Sequence, residues 1–257
     1  MQLRAAVATL AALALGLSAC GKSTDGAAGA PSASATPIAK ITAQAGKSWA
    51  DTITVTPEGG YRMGNPNAPI KLIEFGALSC SHCAEFAEKS FAKMRDDYIA
   101  SGRVSYELRL FMLNALDIPA AMLATCGSPD SVIPLSEQFW AWQPTMFANL
   151  KAAGDAKLQA AGNLGPNQRF GAIAGIAGMD TFFAERGIAA DQAAACLADV
   201  GKATMLSNQT QAASEKYQVS GTPTFYLNGK NLQTATWETL EPLLQTAGAR
   251  GGSGGVG

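Results

Sequence analysis

Two cysteines three positions apart, Cys80-Ser81-His82-Cys83, stand between a mostly apolar run (Ile70 to Phe75) and a segment with helical spacing (Ala84 to Tyr98). Strand, short loop, cysteine pair and helix leave few folds open. At a helix N-terminus the first backbone N–H groups have no intrahelical partner, and the aligned peptide dipoles add partial positive charge. A sulfur just ahead of the first turn is therefore held partly as thiolate, the form that attacks disulfides. Cys80 has that position. Cys83 lies one turn further in, within reach of an internal disulfide and expected to be more buried. Between them is His82, the one histidine of the chain. A protonated or hydrogen-bonding imidazole there would favour the thiolate further and make the disulfide more oxidising. Taken alone, the same spacing also suits zinc or a structural bridge.

A second mark lies far downstream, at Gly221-Thr222-Pro223-Thr-Phe-Tyr-Leu. Proline at the head of an apolar strand cannot donate to a ladder, and X-Pro is the bond at which cis is cheap. Together, Cys80-Ser-His-Cys83 and Thr222-Pro223 make the chain resemble the DsbA-like thiol–disulfide oxidoreductases, over roughly Val55 to Ala247. The resemblance implies an α/β thioredoxin-like fold, a central mixed sheet flanked by helices, with an inserted all-helical domain. It implies a cis Pro223 loop facing the cysteines, and it places a buried acid of the family at Glu74, six residues before Cys80. The pattern departs in one place: the family's best-known oxidase has proline where this chain has Ser81. Thr222 before the proline also occurs in isomerases and reductases of the wider group.

The chain has 257 residues, a net charge of −1 and only 15% charged residues, with no run of like charge. That gives no footing for nucleic acid. Residues 1–19 read as a lipoprotein signal peptide: Arg4, an apolar run from Ala5 to Leu17, then small residues. Leu17-Ser-Ala-Cys20 resembles the bacterial lipobox, with Cys20 lipidated; Gly21 points to outer-membrane sorting in a Gram-negative host. A plain secretory signal with an incidental cysteine is the alternative. The apolar run is shorter than the roughly 20 residues needed to span a bilayer. Residues 20–48, rich in Ala, Gly, Ser, Thr and Pro, are expected to form a flexible tether. The thioredoxin-like domain is expected in two parts, 49–113 and 201–248, around a helical insertion at 114–200, with a disordered Gly-rich tail at 249–257.

Period two along Ile70-Lys-Leu-Ile-Glu-Phe75 puts Ile70, Leu72 and Glu74 on one face and Lys71, Ile73 and Phe75 on the other. A carboxylate on an apolar strand is costly to bury without a function or hydrogen bonds. The functional expectation is that Glu74 relays protons to or from Cys83 through water; the bland one is an acid on an exposed face. Val104 to Phe111 alternates as a second strand, giving βαβ and a parallel pair. In the insertion, Asp117 is expected to cap a helix, and Phe139, Trp140, Trp142, Phe147 and Leu150 to lie on two helices broken at Pro144. These aromatics serve as core or, alternatively, line a peptide groove. Asn228-Gly229 is a tight-turn pair, and a last helix runs from Trp237 to Ala247.

An exported chain meets an oxidising compartment, where free thiols are rare. Five cysteines then divide into one lipidated, two catalytic and two structural, so Cys126 and Cys196 are expected to pair, as in some DsbA-like relatives. Two buried unpaired thiols are the alternative. Closing a loop of this length stabilises by roughly 4 kcal/mol in the chain-entropy model.

The activity implied is introduction of disulfides into reduced exported proteins through Cys80 and Cys83, with Thr222 and Pro223 receiving an extended substrate. No organic cofactor is expected, since no nucleotide- or phosphate-binding motif occurs, and no metal, since the chain has one histidine and no further pair of ligands lies near. By resemblance, a membrane quinone-linked partner reoxidises the pair, and the protein is a monomer on the periplasmic side of the cell envelope, held by its N-terminal lipid. Two rivals stand beside this reading: an isomerase or reductase of the same fold, and a lipid-anchored metal carrier using Cys80, His82 and Cys83.

Overall fold

The structure is a computed structural model and describes residues 35–250 except residue 234. Two short strands, β1 (Ile53–Val55) and β2 (Tyr61–Gly64), lead into β3 (Ile70–Gly76), then α1 (Ser81–Lys93), which continues as a π-helical turn, Met94–Ile99. β4 (Val104–Leu110) follows. A helical stretch then runs through α2 (Asp117–Ala124), α3 (Val132–Ala153), α4 (Asp155–Gly162), α5 (Pro166–Ala177), α6 (Met179–Ala184), α7 (Ala190–Ala198) and α8 (Val200–Tyr217). The chain returns to the sheet as β5 (Thr224–Leu227) and β6 (Lys230–Gln233) and ends in α9 (Trp237–Leu244) with a further π-helical turn, Gln245–Ala249.

The six strands are ordered β1-β2-β4-β3-β5-β6. β3 and β4 are parallel, in register from Ile70 opposite Val104 to Gly76 opposite Leu110, and the other pairs are antiparallel. Parallel neighbours need a crossover, which α1 supplies. β3 is thus central, buried on both faces except for Lys71 and, in part, Ile73. Alternation sends Ile70 and Leu72 into the larger core with Phe86, Phe91, Leu240 and Leu244. Phe75 joins a smaller cluster with Phe111, Ala213, Val219 and Tyr226. Phe86 of α1 meets Phe225 of β5 with ring centroids 4.5 Å apart, locking helix to sheet. In the β5–β6 turn, Asn228 and Gly229 both have positive φ, 49° and 81°. The Asn228 side chain accepts from Lys71 N–H at 2.8 Å, tying the hairpin to β3.

The structure departs from the sequence expectations at two points in the insertion. No break occurs at Pro144: α3 is one helix of 22 residues. Proline removes one backbone bond and costs about 3 kcal/mol, but Ser136, Phe139, Trp140, Gln143 and Met146 bury a continuous stripe on both sides of it. Nor does Asp117 cap α2. It is the first helical residue, fully buried, and its carboxylate faces residue 79 instead. Of the aromatics, Phe139 packs against Trp142, Phe182 and Phe183 in the insertion core, whereas Phe147 is 41% exposed.

The part of the 20–48 stretch that is described lies along the body. Ala35 N–H donates to Thr246 O at 2.9 Å, Ile38 N–H to Gly248 O at 3.0 Å and Ile41 N–H to Ser101 O at 2.9 Å. Trp49 Nε1 donates back to Ile41 O at 2.8 Å. Gly102, at φ 73°, permits this approach, because a Cβ there would stand 2.3 Å from Ile41 O. At the other end Ala249 is buried, and Arg250 Nη2 donates to Ala35 O at 2.7 Å. The expected signal peptide at 1–19, with the lipidation residue Cys20, and residues 251–257 of the expected tail lie outside the described residues.

Candidate active site

β3 ends at Gly76, and the chain turns through Ala77, Leu78 and Ser79 before α1 begins. Cys80 caps that helix with extended backbone (φ −80°, ψ 117°), and its sulfur accepts the Cys83 N–H at 3.3 Å. An N-cap acceptor is normally an oxygen; here a thiol takes the place, so the unpaired N–H groups of the first turn point at sulfur. On its other side the Cys80 thiol donates to the carbonyl oxygen of Thr222 at 3.2 Å. The Thr222–Pro223 peptide is cis. The two cysteines are not joined to each other, and both are buried: Cys80 at 5% exposure, Cys83 at 0%.

These surroundings split the two thiols. The Cys83 thiol donating to Cys80 is the largest influence lowering the Cys80 pKa, to about 6; burial opposes it, and Thr222 and the N–H groups of Cys83 and His82 add to it. Cys83 moves the other way, well above the ordinary thiol range, first because it is buried and then because its proton is engaged by Cys80. A low-pKa outer thiol beside a protonated inner one is the arrangement that disulfide exchange needs.

His82 contributes less than its position implies. Its imidazole is three-quarters exposed and lies 3.8 Å from Glu85 Oε2, turned to solvent; what reaches Cys80 is the His82 backbone N–H. Glu74 lies beneath the pair at 1% exposure. Tyr106 donates to its Oε2 at 2.8 Å, while Oε1 is buried without a partner. Burial, the dominant influence, raises the Glu74 pKa to about 8, against the pull of Tyr106. Gly76 leaves the room this requires: a Cβ there would come within 3.0 Å of Glu74 Oε1. Cys126 and Cys196 form a disulfide with Cα atoms 6.0 Å apart, linking the end of α2 to α7. The structure therefore assembles Glu74, Cys80, Cys83, Thr222 and Pro223 at one place, with the His82 backbone but not its ring.

Sequence reasoning missed Tyr106, Asp117, Trp140 and Gln143 as neighbours of the site. Gln143 carried a readable signal, being the one polar side chain with an amide on the Ser136-Phe139/Trp140-Met146 stripe at helical spacing. Beside the sulfurs, His82, Glu85, Phe86, Lys89, Pro223 and Trp237 border a groove of about 220 Å³. Among the described residues no group of three or more His, Cys, Asp or Glu is gathered to hold a metal ion, and no helix is long and apolar enough to cross a membrane.

A CxxC pair at a helix start, facing a cis-proline on a mixed sheet, with an all-helical insertion between the two halves, defines a thioredoxin-like protein. A sequence model of the thioredoxin family matches residues 56–246, and the chain belongs to that family. Among curated proteins it is 23% identical over 192 residues to a Rickettsia conorii protein described as a protein-disulfide oxidoreductase, covering 72% of this chain and 59% of that one. A Rickettsia prowazekii counterpart gives 23% identity, with 72% and 60% covered. The chain thus spans about three-fifths of these relatives. Among solved structures, a protein-disulfide isomerase of Novosphingobium aromaticivorans superposes with a TM-score of 0.68 at 29% identity, covering 72% of this chain and 94% of that one. The alpha-DsbA1 of Wolbachia pipientis shares the fold, with a TM-score of 0.55, 21% identity and coverage of 75% and 90%.

Proposed function

We propose that this protein is a thiol–disulfide oxidoreductase that introduces disulfides into exported proteins through Cys80 and Cys83. The observation that carries the reading is the acidic Cys80 thiol held at the start of α1 against the Thr222 carbonyl. In the oxidised enzyme a substrate thiolate attacks Cys80 Sγ and the Cys83 sulfur leaves with the bonding pair. A second substrate thiolate then attacks the substrate sulfur of the mixed disulfide, and Cys80 leaves as the thiolate its surroundings favour. Two electrons and, at neutral pH, the proton needed by Cys83 pass to the enzyme. Glu74, protonated below about pH 8, is the nearby acid able to supply that proton through water. The groove beside Pro223 receives the substrate strand, and Thr222 tunes the outer sulfur.

In this reading a membrane quinone-linked partner reoxidises the pair. A monomer anchored by lipid at Cys20, facing the periplasm of the cell envelope and held at the outer membrane in a Gram-negative host, fits the apolar N-terminal run ahead of that cysteine. Oxidative refolding of a reduced substrate, with the reduction potential measured against glutathione, tests the proposal. A potential well above that of thioredoxin, about −270 mV, with fast oxidation of the substrate, is expected; a potential near or below it overturns the oxidase direction.

The likeness to a protein-disulfide isomerase favours a second reading, in which the reduced Cys80 thiolate attacks scrambled substrates. Faster repair of a scrambled substrate than oxidation of a reduced one would select it.

A further inference from the structure

Between Gly76 and Ser81 the backbone belongs to neither the sheet nor α1, yet it is buried, and its polar groups need partners. Three successive residues find them on side chains of the helical insertion. Trp140 Nε1 donates to Ala77 O at 2.9 Å, and Gln143 Nε2 donates to Leu78 O at 2.8 Å. Asp117 Oδ1 accepts from Ser79 N–H at 2.8 Å. Asp117 Oδ2 also takes the Ser79 hydroxyl at 3.0 Å and Asn114 N–H at 2.9 Å, and the Asn114 amide closes on the same hydroxyl at 2.6 Å. Asp117, Trp140 and Gln143 are each at most 3% exposed.

We infer that Asp117, Trp140 and Gln143 are positioning residues for disulfide exchange: the insertion grips the loop before Cys80 one peptide at a time and so fixes the aim of backbone N–H groups on both sulfurs. The inference rests on the exchange reading above. The path is short. Cys80 N–H donates to Ala77 O at 3.2 Å, on the oxygen that Trp140 also holds. The Ala77 N–H in turn acts on Cys83. Turning the 77–79 peptides would swing Cys80 away from the α1 N-terminus and from Thr222. A charge-assisted or amide bond in a buried place has strict geometry, and a donor left facing a donor there is costly. The hydrogen bonds of the three side chains go to the loop rather than to a sulfur, and none of the three lines the groove, so their role is to hold, not to react.

The test uses the full chain with Gln143→Met and Trp140→Phe, both neutral changes, and Asp117→Asn, which turns an amide N–H toward at least one donor. Asn149→Ala is the control, because Asn149 Nδ2 bonds Ala177 O inside the insertion and reaches no residue of the loop. Thiolate absorbance gives the Cys80 midpoint, and equilibrium with glutathione gives the potential. The expected result is an upward shift of the midpoint in Gln143→Met and Trp140→Phe on the order of one unit. The accompanying tenfold loss of reduced-state stabilisation makes the pair about 30 mV more reducing, with folding intact by circular dichroism and Asn149→Ala unchanged. Asp117→Asn is informative in sign: loss of a buried negative charge alone would lower the midpoint, whereas loss of the grip raises it. Wild-type midpoints in folded Gln143→Met and Trp140→Phe, or an equal shift in Asn149→Ala, overturn the inference and leave the exchange reading standing. An ordinary thiol at Cys80 in the wild-type chain overturns both.

Discussion

The Cys80 thiol and the Thr222 carbonyl, 142 residues apart in sequence, meet at 3.2 Å. The outer sulfur is thereby shared between a helix start, which favours its charge, and a loop carbonyl, which accepts its proton. The carbonyl fixes where the sulfur sits, while its acidity comes chiefly from the Cys83 thiol inside the four-residue motif.

The first prediction separates the partners of that sulfur. Because the Cys83 thiol is the leading influence on Cys80, Cys83→Ala should raise the Cys80 midpoint from about 6 by a unit or more, roughly. His82→Ala should move it by less than about half a unit, since the imidazole faces Glu85 and the backbone N–H is retained. Thiolate absorbance titration checks both; a large shift in His82→Ala would restore the ring to the role its sequence position implied.

A second prediction concerns pH and the two redox forms. The Cys80 pKa is depressed in the folded reduced protein, so the stabilisation it supplies is full above the unfolded thiol value and is lost as pH falls through about 6. The oxidised form has no thiol to titrate. The stability of reduced over oxidised protein should therefore climb from about pH 6 toward about pH 8.5. Above that it should decline, because the unfolded chain ionises Cys83 while the folded site keeps it protonated. Urea unfolding of both forms across this range measures the difference.

Glu74 gives the opposite slope. Its folded pKa, about 8, is raised above the ordinary carboxyl value of 4.5, so the folded state holds a proton that the unfolded chain gives up. Stability from this group falls as pH rises between those values and is flat outside them. Glu74→Gln should consequently gain stability relative to wild type across the interval, while its exchange with substrate slows. Unfolding free energies of the pair at matched pH, alongside stopped-flow exchange rates, decide both halves.

Cys126→Ala with Cys196→Ala should destabilise the protein by about 4 kcal/mol, the chain-entropy value for a separation of 70 residues. The melting temperature should fall by roughly 10 °C. Neither cysteine of the bridge lines the groove beside Pro223, so the exchange rate at low temperature should change little. Calorimetry and a turnover assay on the same sample check this.

What could be read from the chain alone was whatever local chemistry or period announces. The helix-start cysteine, the proline before Thr224 and the alternation of Ile70 to Phe75 each carry their meaning within a few residues. Side-chain direction does not. His82 sits between the cysteines in sequence yet its ring turns to Glu85, because the second helical position points outward. Asp117 followed the cap preference, but a buried N–H at Ser79 held it more strongly than the helix end did. Pro144 looked like a break because the local cost is visible in sequence, whereas the burial of Phe139, Trp140 and Met146 that outweighs it is not.

The sheet order places β5 against β3, although β3 leaves the ribosome long before β5 is made. Until the closing strand arrives, an apolar strand stands with one row of peptide groups bare, next to two thiols. A growing or truncated chain that stops short of Thr222 is thus a template for edge-to-edge pairing and stray cross-linking, a hazard that ends only when β5, in the last eighth of the polypeptide, takes its place.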